Sequence, residues 1–290
     1  MSKIAWIGLG AMGFPMAGCL GRAGLDVTAF DIAPGRAQQL SEFGVKAAGS
    51  AEAAVAEADV VALMVATPAQ VDSVLFGESD LAAAIPAGAI VLVMATVGPE
   101  PVADWTAKLA GRGVRIVDAP VSGGVARAGT GELLMMVSGD PEDVAVVRPL
   151  LEAMASHAPV VGAVPGEGQK MKLVNQLLCG VHIAVAGEAL AFAERLGLDI
   201  GATWEVLRHG AANSFMFSDR GERMVNEEFD VAKSAIDIFV KDMGLVVDAA
   251  EQNGFAAPIA DAAKVLYLEG AAAEMGRKDD SSVLEIYRNR

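Results

Sequence analysis

Directly behind the apolar segment Ile4 to Ile7 the chain reads Gly8-Leu9-Gly10-Ala11-Met12-Gly13, and this spacing of three glycines constrains the fold more than any other feature. At a strand-to-helix turn, Gly8 permits a tight reversal, Gly10 lets a phosphate approach the backbone, and Gly13 lets helix and strand pack closely. The free N–H groups and dipole of the following helix favour an anion at its N-terminus. A second strand-like run, Val27 to Phe30, ends on Asp31, 18 residues after Gly13. Strand, glycine turn, helix, strand and acid in that order are the context a dinucleotide fingerprint requires. Gly8, Leu9, Gly10, Ala11, Met12, Gly13 and Asp31 are therefore assigned to a cofactor site. A carboxylate at Asp31 accepts hydrogen bonds from ribose hydroxyls and repels a 2′-phosphate, which favours NAD over NADP. Arg36, five residues on, is the nearby cation that would tolerate a 2′-phosphate.

Further along, short apolar runs alternate with helical stretches: Val60 to Val65, Ala89 to Met94 and Val114 to Val117. This alternation predicts a largely parallel sheet with crossover helices, an α/β Rossmann-type domain. Leu133 to Val137 and Pro159 to Val161 are strand-like and flank a helix over Glu142 to Met154, reading as a hairpin-like addition. Gln169 to Leu196 reads as one long interdomain helix rich in Ala, Leu and Glu. Beyond Gly197 the segments Ile200 to Leu207, Phe239 to Gln252 and Pro258 to Glu269 are helical, so the second domain is expected to be all α. The expected organisation is a dinucleotide-binding domain over 1–163 and a helical substrate and oligomerisation domain over 164–290.

A net charge of −15 argues against nucleic acid as a partner, because phosphate neutralisation dominates such binding. Only Cys19 and Cys179 are present, with three His, so neither a disulfide framework nor a metal site is expected. No uninterrupted apolar stretch reaches membrane-spanning length, and the N-terminus runs straight into a strand. A cytoplasmic protein without a membrane partner is the expectation.

The glycine motif, extended through Phe14-Pro15-Met16-Ala17, resembles the opening signature of the β-hydroxyacid dehydrogenases. Three further motifs are similar to that family in the same order: Asp118-Ala119-Pro120-Val121-Ser122-Gly123-Gly124, Gly168-Gln169-Lys170-Met171-Lys172-Leu173-Val174-Asn175, and Lys241-Asp242-Met243-Gly244-Leu245. The resemblance spans nearly the whole chain. It implies a substrate loop at Ser122, Gly123 and Gly124, a catalytic helix start with Lys172 and Asn175, and cofactor contacts at Thr96 and Lys241. Val65 and Ala66, at the end of the third apolar run, complete the expected cofactor site.

The residue chemistry agrees. On a helix, Lys172, Asn175 and Gln176 share one face at i, i+3 and i+4, a polar patch for an interdomain cleft. Oxidising an alcohol requires a group to take the hydroxyl proton, which a lysine does when desolvation and neighbouring positive charge favour its neutral form. Ser122 to Gly124, on a flexible turn behind a strand, offer backbone N–H groups and a hydroxyl to a carboxylate. Alone, a lysine on a helix is ordinarily a solvated charge and Ser-Gly-Gly an ordinary loop; the four motifs together favour the functional reading. One position departs from the resemblance: the family commonly has two Asn after the lysine, and here Asn175 is followed by Gln176.

Residues 176–184, Asn213-Ser214-Phe215-Met216-Phe217, 234–242 and 279–283 are similar to members of the family that act on L-threonate. That implies oxidation of the C2 hydroxyl of a four-carbon sugar acid to its 2-oxo product, with Asn213, Ser214 and His182 as candidate hydroxyl partners. His182 is equally a buried structural histidine, and Phe215-Met216-Phe217 is more often core or subunit packing than a substrate box. Arg220 and Asp237 have the ordinary alternative of ion pairs. Other readings stay open: 3-hydroxyisobutyrate, tartronate semialdehyde or glycerate as substrate, imine reduction, against which Lys172 argues, and a non-catalytic NAD-binding sensor. A homodimer or homotetramer is expected.

Overall fold

The structure, a computed structural model, describes residues 2–290. The chain divides into two compact units, Met1–Lys172 and Leu173–Arg290.

The first unit begins β1 (Lys3–Ile7), α1 (Gly13–Arg22), β2 (Asp26–Phe30), then β3 (Lys46–Ala47), α2 (Ala51–Val55), β4 (Val60–Leu63), α3 (Pro68–Phe76) and α4 (Leu81–Ala84). There follow β5 (Ile90–Val93), α5 (Pro99–Ala110), β6 (Arg115–Asp118), β7 (Val121–Ser122) and α6 (Gly124–Thr130). It closes with β8 (Leu133–Met135), β9 (Val137–Ser138), α7 (Pro141–Met154), β10 (Ala155–His157) and β11 (Val160–Gly162). Eight strands form one sheet in the order β11-β9-β6-β5-β4-β1-β2-β3. Every pair in it is parallel except β6 with β9. The four-residue strands β4 and β5 are buried along their whole length, as strands covered by helices on both faces must be.

Each face of this sheet carries its own apolar layer. One layer gathers Trp6, Met16, Leu20, Leu92 and Leu151; the other gathers Ile7, Leu63, Leu75, Val91 and Trp105. Because β1 lies between β2 and β4, the chain reverses its direction of progress across the sheet there. Ligands bind beyond the strand carboxyl ends at such a reversal.

The hairpin-like addition expected after β6 takes another form. β9 and β11 pair in parallel, as do β8 and β10, with α7 as the crossover. A 14-residue helix between strands cannot serve as a tight turn, and parallel pairing is what such a crossover allows. The run Leu133 to Val137 also splits at Met136, so that β8 joins a separate three-stranded sheet, β10-β8-β7, while β9 enters the main one.

The second unit is helical. α8 (Glu167–Arg195) runs as one 29-residue helix from the first unit into the second. It is followed by α9 (Ile200–Leu207), α10 (Phe215–Val225), α11 (Ile236–Gln252), α12 (Pro258–Ala272) and α13 (Val283–Arg288). Among the described residues the only extended pairing of this unit is an isolated bridge between Ala235 and Asp279. α10 was not anticipated: Phe215-Met216-Phe217 is its first turn, with Phe217 buried and Phe215 exposed. Its core includes Ile183, Leu190, Phe239, Met243, Leu266 and Tyr267.

α8 is long and apolar enough by length and composition to cross a membrane, although Asn175, Gln176, His182 and Glu188 interrupt it, and 50% of its apolar window is buried within the protein.

Candidate active site

The glycine turn is held by the protein's own hydrogen bonds. Gly8 N–H donates to Phe30 O at 3.1 Å, and Trp6 Nε1 donates to Gly8 O at 2.9 Å. Leu9 N–H donates to Asp31 Oδ2, and Arg36 Nε donates to Leu9 O at 3.0 Å. Asp31 Oδ1 accepts from Ala33 N–H at 2.7 Å, and the Arg36 guanidinium stacks 3.9 Å from the Phe14 ring centre.

The three glycines are not equivalent. Gly8 has φ +96°, and a Cβ there would meet Met64 O at 2.5 Å. A Cβ on Gly13 would lie 2.1 Å from Gly8 O, so this glycine lets α1 close onto the loop. A Cβ on Gly10 would meet nothing within 4 Å. Two glycines therefore serve the protein's own packing and one faces open space, where a pyrophosphate would lie. Met12, at the start of α1, has no side-chain cap; Phe14 N–H already donates to Gly10 O and Pro15 has no N–H, so an anion would be met at the Gly10–Gly13 backbone. These residues fit a dinucleotide.

Val65 and Ala66 lie in the loop after β4, which ends at Leu63, two residues short of the expected run. Ala66 N–H donates to Gln70 Oε1, and Thr67 with Gln70 forms a capping box that opens α3. Thr96 is half-buried in the loop after β5, between the buried Ala95 and Val97. Since β1, β4 and β5 are adjacent and parallel, the glycine turn, Val65-Ala66 and Thr96 share one carboxyl edge of the sheet.

Ser122 ends β7, and Gly123 and Gly124 open α6, so this segment is paired strand and helix start rather than the flexible turn expected. Both glycines have positive φ, +140° and +72°, in a region side chains disfavour. A Cβ on Gly124 would meet nothing within 4 Å.

Lys172 is buried, at 5% exposure, in the second turn of α8. Upstream, the helix start is anchored by a buried polar cluster. Asp118 accepts from Ser138 Oγ–H, from Gly166 N–H at 2.7 Å and from Gln169 N–H at 3.0 Å, and Ser138 Oγ accepts from Gly168 N–H at 2.8 Å. Side chains from β6 and β9 thus take up N–H groups that a helix start leaves unpaired. Burial raises the Asp118 carboxyl to about 6, against the lowering effect of these donors. Gln169, fully buried, donates from Nε2 to Ala95 O at 3.1 Å and accepts at Oε1 from Val97 N–H at 3.0 Å and Gly98 N–H at 3.3 Å.

In the second unit, Asn175 Nδ2 donates to Gln176 Oε1 at 2.8 Å, and Gln176 Nε2 donates to Asp242 Oδ2. Lys241 Nζ lies 2.8 Å from Asp242 Oδ1. The residue that departs from the usual Asn-Asn pair thus links Asn175 to the Lys241-Asp242 motif.

Asn213 and Ser214 are turned to local structure. Ser214 caps α10, accepting from Phe217 N–H at 3.0 Å, and Asn213 Oδ1 accepts from Ser218 Oγ–H at 2.8 Å. Arg220 is an ion-pair residue, with Nε and Nη2 each 3.0 Å from the buried Asp280.

Comparison with known proteins places this arrangement in a family. Residues 3–163 match the NAD-binding domain of 6-phosphogluconate dehydrogenase, and residues 166–287 match the NAD-binding domain of NADP-dependent 3-hydroxyisobutyrate dehydrogenase. The chain is 41% identical to an L-threonate dehydrogenase of Cupriavidus necator, over 98% of this chain and 96% of the relative. The chain belongs to the β-hydroxyacid dehydrogenase family. It is 38% identical to an L-threonate dehydrogenase of Escherichia coli, over 97% of this chain and 93% of that one. A crystal structure of a 3-hydroxyisobutyrate dehydrogenase from Salmonella typhimurium superposes with a TM-score of 0.92 at 36% identity, over 99% of this chain and all of that one. This family member is a hydroxyacid dehydrogenase with NAD(P)-binding domains, and its substrate is a small hydroxy acid.

Asp118, Ser138, Gln169 and Asp242 were not expected as site residues. All but Ser138 lie inside the motifs quoted above, but a motif does not tell which of its members touch ligand and which hold the others in place.

Proposed function

We propose that the protein oxidises the C2 hydroxyl of L-threonate, or of a related four-carbon sugar acid, to the 2-oxo acid, with NAD as the preferred cofactor. NAD supplies the acceptor for the C2 hydride. Lys172 Nζ takes the hydroxyl proton as the C=O bond forms and returns a proton in the reverse direction. Asn175, three residues on along the same helix face, holds the reacting hydroxyl. Ser122 and the open backbone at Gly123 and Gly124 bind the carboxylate. Asn213 and Ser214 are the candidate contacts to the remaining hydroxyls, through the Asn213 amide N–H and the Ser214 O–H, since their oxygens already accept from Ser218 Oγ–H and Phe217 N–H. Gly8 to Gly13, Asp31, Val65, Ala66, Thr96 and Lys241 hold the dinucleotide.

The observation that carries the chemistry is the burial of Lys172, the reverse of the solvated position a helix lysine ordinarily takes. The choice of substrate draws on the full-length similarity to relatives named for L-threonate. Asp31, organised by two backbone N–H groups, supports NAD over NADP. The runner-up substrate is 3-hydroxyisobutyrate, for which the Salmonella typhimurium neighbour is named.

We assign residues 1–163 to the dinucleotide and 164–290 to substrate and assembly, in a cytoplasmic homodimer or homotetramer. Exposed Leu178, Val185 and Phe192, spaced every seven residues along α8, support a helical subunit contact.

The test is initial rates of NADH formation with L-threonate, its stereoisomers, 3-hydroxyisobutyrate and glycerate, compared as kcat/KM, with NADP alongside. The highest value for L-threonate or a stereoisomer upholds the reading. Turnover of only the smaller acids keeps the mechanism and overturns the substrate.

A further inference from the structure

We infer that Gln169 is a positioning residue for the reaction: its side-chain amide locks the Ala95–Gly98 loop, and with it Thr96, to the helix turn that carries Lys172. The inference rests on the proton-transfer role proposed for Lys172.

Gln169 lies three residues before Lys172, so both side chains leave the same face of α8 within one turn. Its amide spans the loop that follows β5 on both sides of Thr96. Nε2 donates to the carbonyl of Ala95, and Oε1 accepts from the N–H groups of Val97 and Gly98. The clamp therefore grips the backbone flanking Thr96 rather than the Thr96 side chain. The helix side of the clamp is fixed in turn: Gln169 N–H and Gly166 N–H donate to Asp118, and Gly168 N–H donates to Ser138. Gly168 permits the close approach, since a Cβ there would meet Met136 O at 2.3 Å and Asp118 Oδ2 at 2.7 Å. Helix start, substrate-loop strand and the loop after β5 are joined as one hydrogen-bonded unit, with Gln169, Asp118 and Ser138 each fully buried.

The pattern of donors and acceptors requires an amide of this length. A carboxylate would satisfy Val97 and Gly98 but would face the Ala95 carbonyl with no proton to donate. A protonated carboxyl has both functions and would restore the match. An alkyl side chain would leave two buried N–H groups and one carbonyl unpaired. Loss of the clamp lets the loop shift against Lys172, and a misplacement of about 1 Å is worth roughly 100-fold in rate.

The experiment compares Gln169→Leu, Gln169→Glu and Lys172→Ala in the full-length protein. It reads kcat and KM for the best acid, thermal unfolding, and amide hydrogen exchange at Val97 and Gly98. For Gln169→Leu we expect kcat to fall about 100-fold with KM for the acid within about threefold, and exchange at Val97 and Gly98 to accelerate about tenfold or more. For Gln169→Glu, kcat relative to the wild type rises as pH is lowered from about 8 to about 6, because the introduced carboxyl is buried and protonates there. If the leucine variant fails to fold, this pH-dependent ratio decides alone. A folded leucine variant with wild-type kcat, or a flat ratio for the glutamate variant, overturns the inference. Loss of activity in Lys172→Ala beside an unimpaired Gln169→Leu sinks the positioning role only. An active Lys172→Ala sinks the proton-transfer reading itself.

Discussion

Gln176 donates through Nε2 to Asp242 while its Oε1 accepts from Asn175, so one buried side chain orients the Asn175 amide and gives one oxygen of a buried carboxyl group its donor. The other oxygen faces Lys241. Replacing Gln176 by Leu leaves Asp242 short of a donor, at a cost of about 1–3 kcal/mol in unfolding free energy. With the Asn175 amide left to its longer contact with Cys179 Sγ at 3.4 Å, kcat/KM for the polyhydroxy acid should fall about tenfold. Denaturant unfolding and steady-state kinetics read these separately. Unchanged stability together with unchanged kcat/KM would show that the pair matters for neither.

Lys172→Ala should leave NAD affinity within about threefold of the wild type and lower kcat by roughly 10²- to 10⁴-fold, the range for a lost acid/base group. Cofactor binding is read by fluorescence titration and turnover by NADH absorbance. A kcat close to the wild-type value would remove Lys172 from proton transfer.

The packing and ligand-facing roles in the glycine turn separate by experiment. Gly13→Ala brings a methyl to 2.1 Å from the Gly8 carbonyl and must displace the loop or α1, so stability should fall by about 2 kcal/mol or more. Gly10→Val points into open space and should leave the melting temperature within about 2 °C while weakening NAD binding by about tenfold or more. Melting curves with and without NAD distinguish the two. Equal loss of stability in both variants contradicts the assignment of Gly10 to the ligand.

Asp31→Ser removes the carboxylate that would repel a 2′-phosphate while keeping a hydroxyl to accept from Leu9 N–H. The ratio of kcat/KM for NAD over NADP should fall about tenfold or more, with Arg36 retained nearby. A ratio that does not move assigns the discrimination elsewhere.

Asp118 carries a pH dependence whose sign follows from its burial. Its carboxyl is raised from 3.8 to about 6 in the folded protein, so between those values the folded state binds more protons than the unfolded one. Stability from this group is therefore greatest below about pH 4, falls as pH rises through about 6, and is constant above, an amplitude of about 3 kcal/mol. Asp118→Asn removes the titration. The unfolding free energy of the wild type minus that of the variant should thus be larger at pH 5 than at pH 7.5, by about 1–2 kcal/mol. A difference that shrinks on acidification would mean that the donors from Ser138, Gly166 and Gln169 outweigh burial.

Much of this protein is written in short-range sequence. Three glycines behind an apolar strand, an acid at the end of the next strand, and alternating apolar and helical runs suffice for a parallel sheet, a dinucleotide turn and a helical second half, because turn geometry and side-chain periodicity act over a few residues. The long helix and the shared face of Lys172, Asn175 and Gln176 follow from the same periodicity. What only the tertiary structure decided are contacts between distant segments. These include the parallel pairing of β9 with β11, the clamp of Gln169 on a loop more than 70 residues away, and the Gln176-Asp242 pair 66 residues apart. It also decided that Gly10 faces open space while Gly13 faces Gly8, and that Asn213 and Ser214 start a helix. The reason is physical: a residue's identity states which hydrogen bonds it can make, but burial of the backbone groups around it selects the partner, and that burial exists only once the sheet and helices have packed.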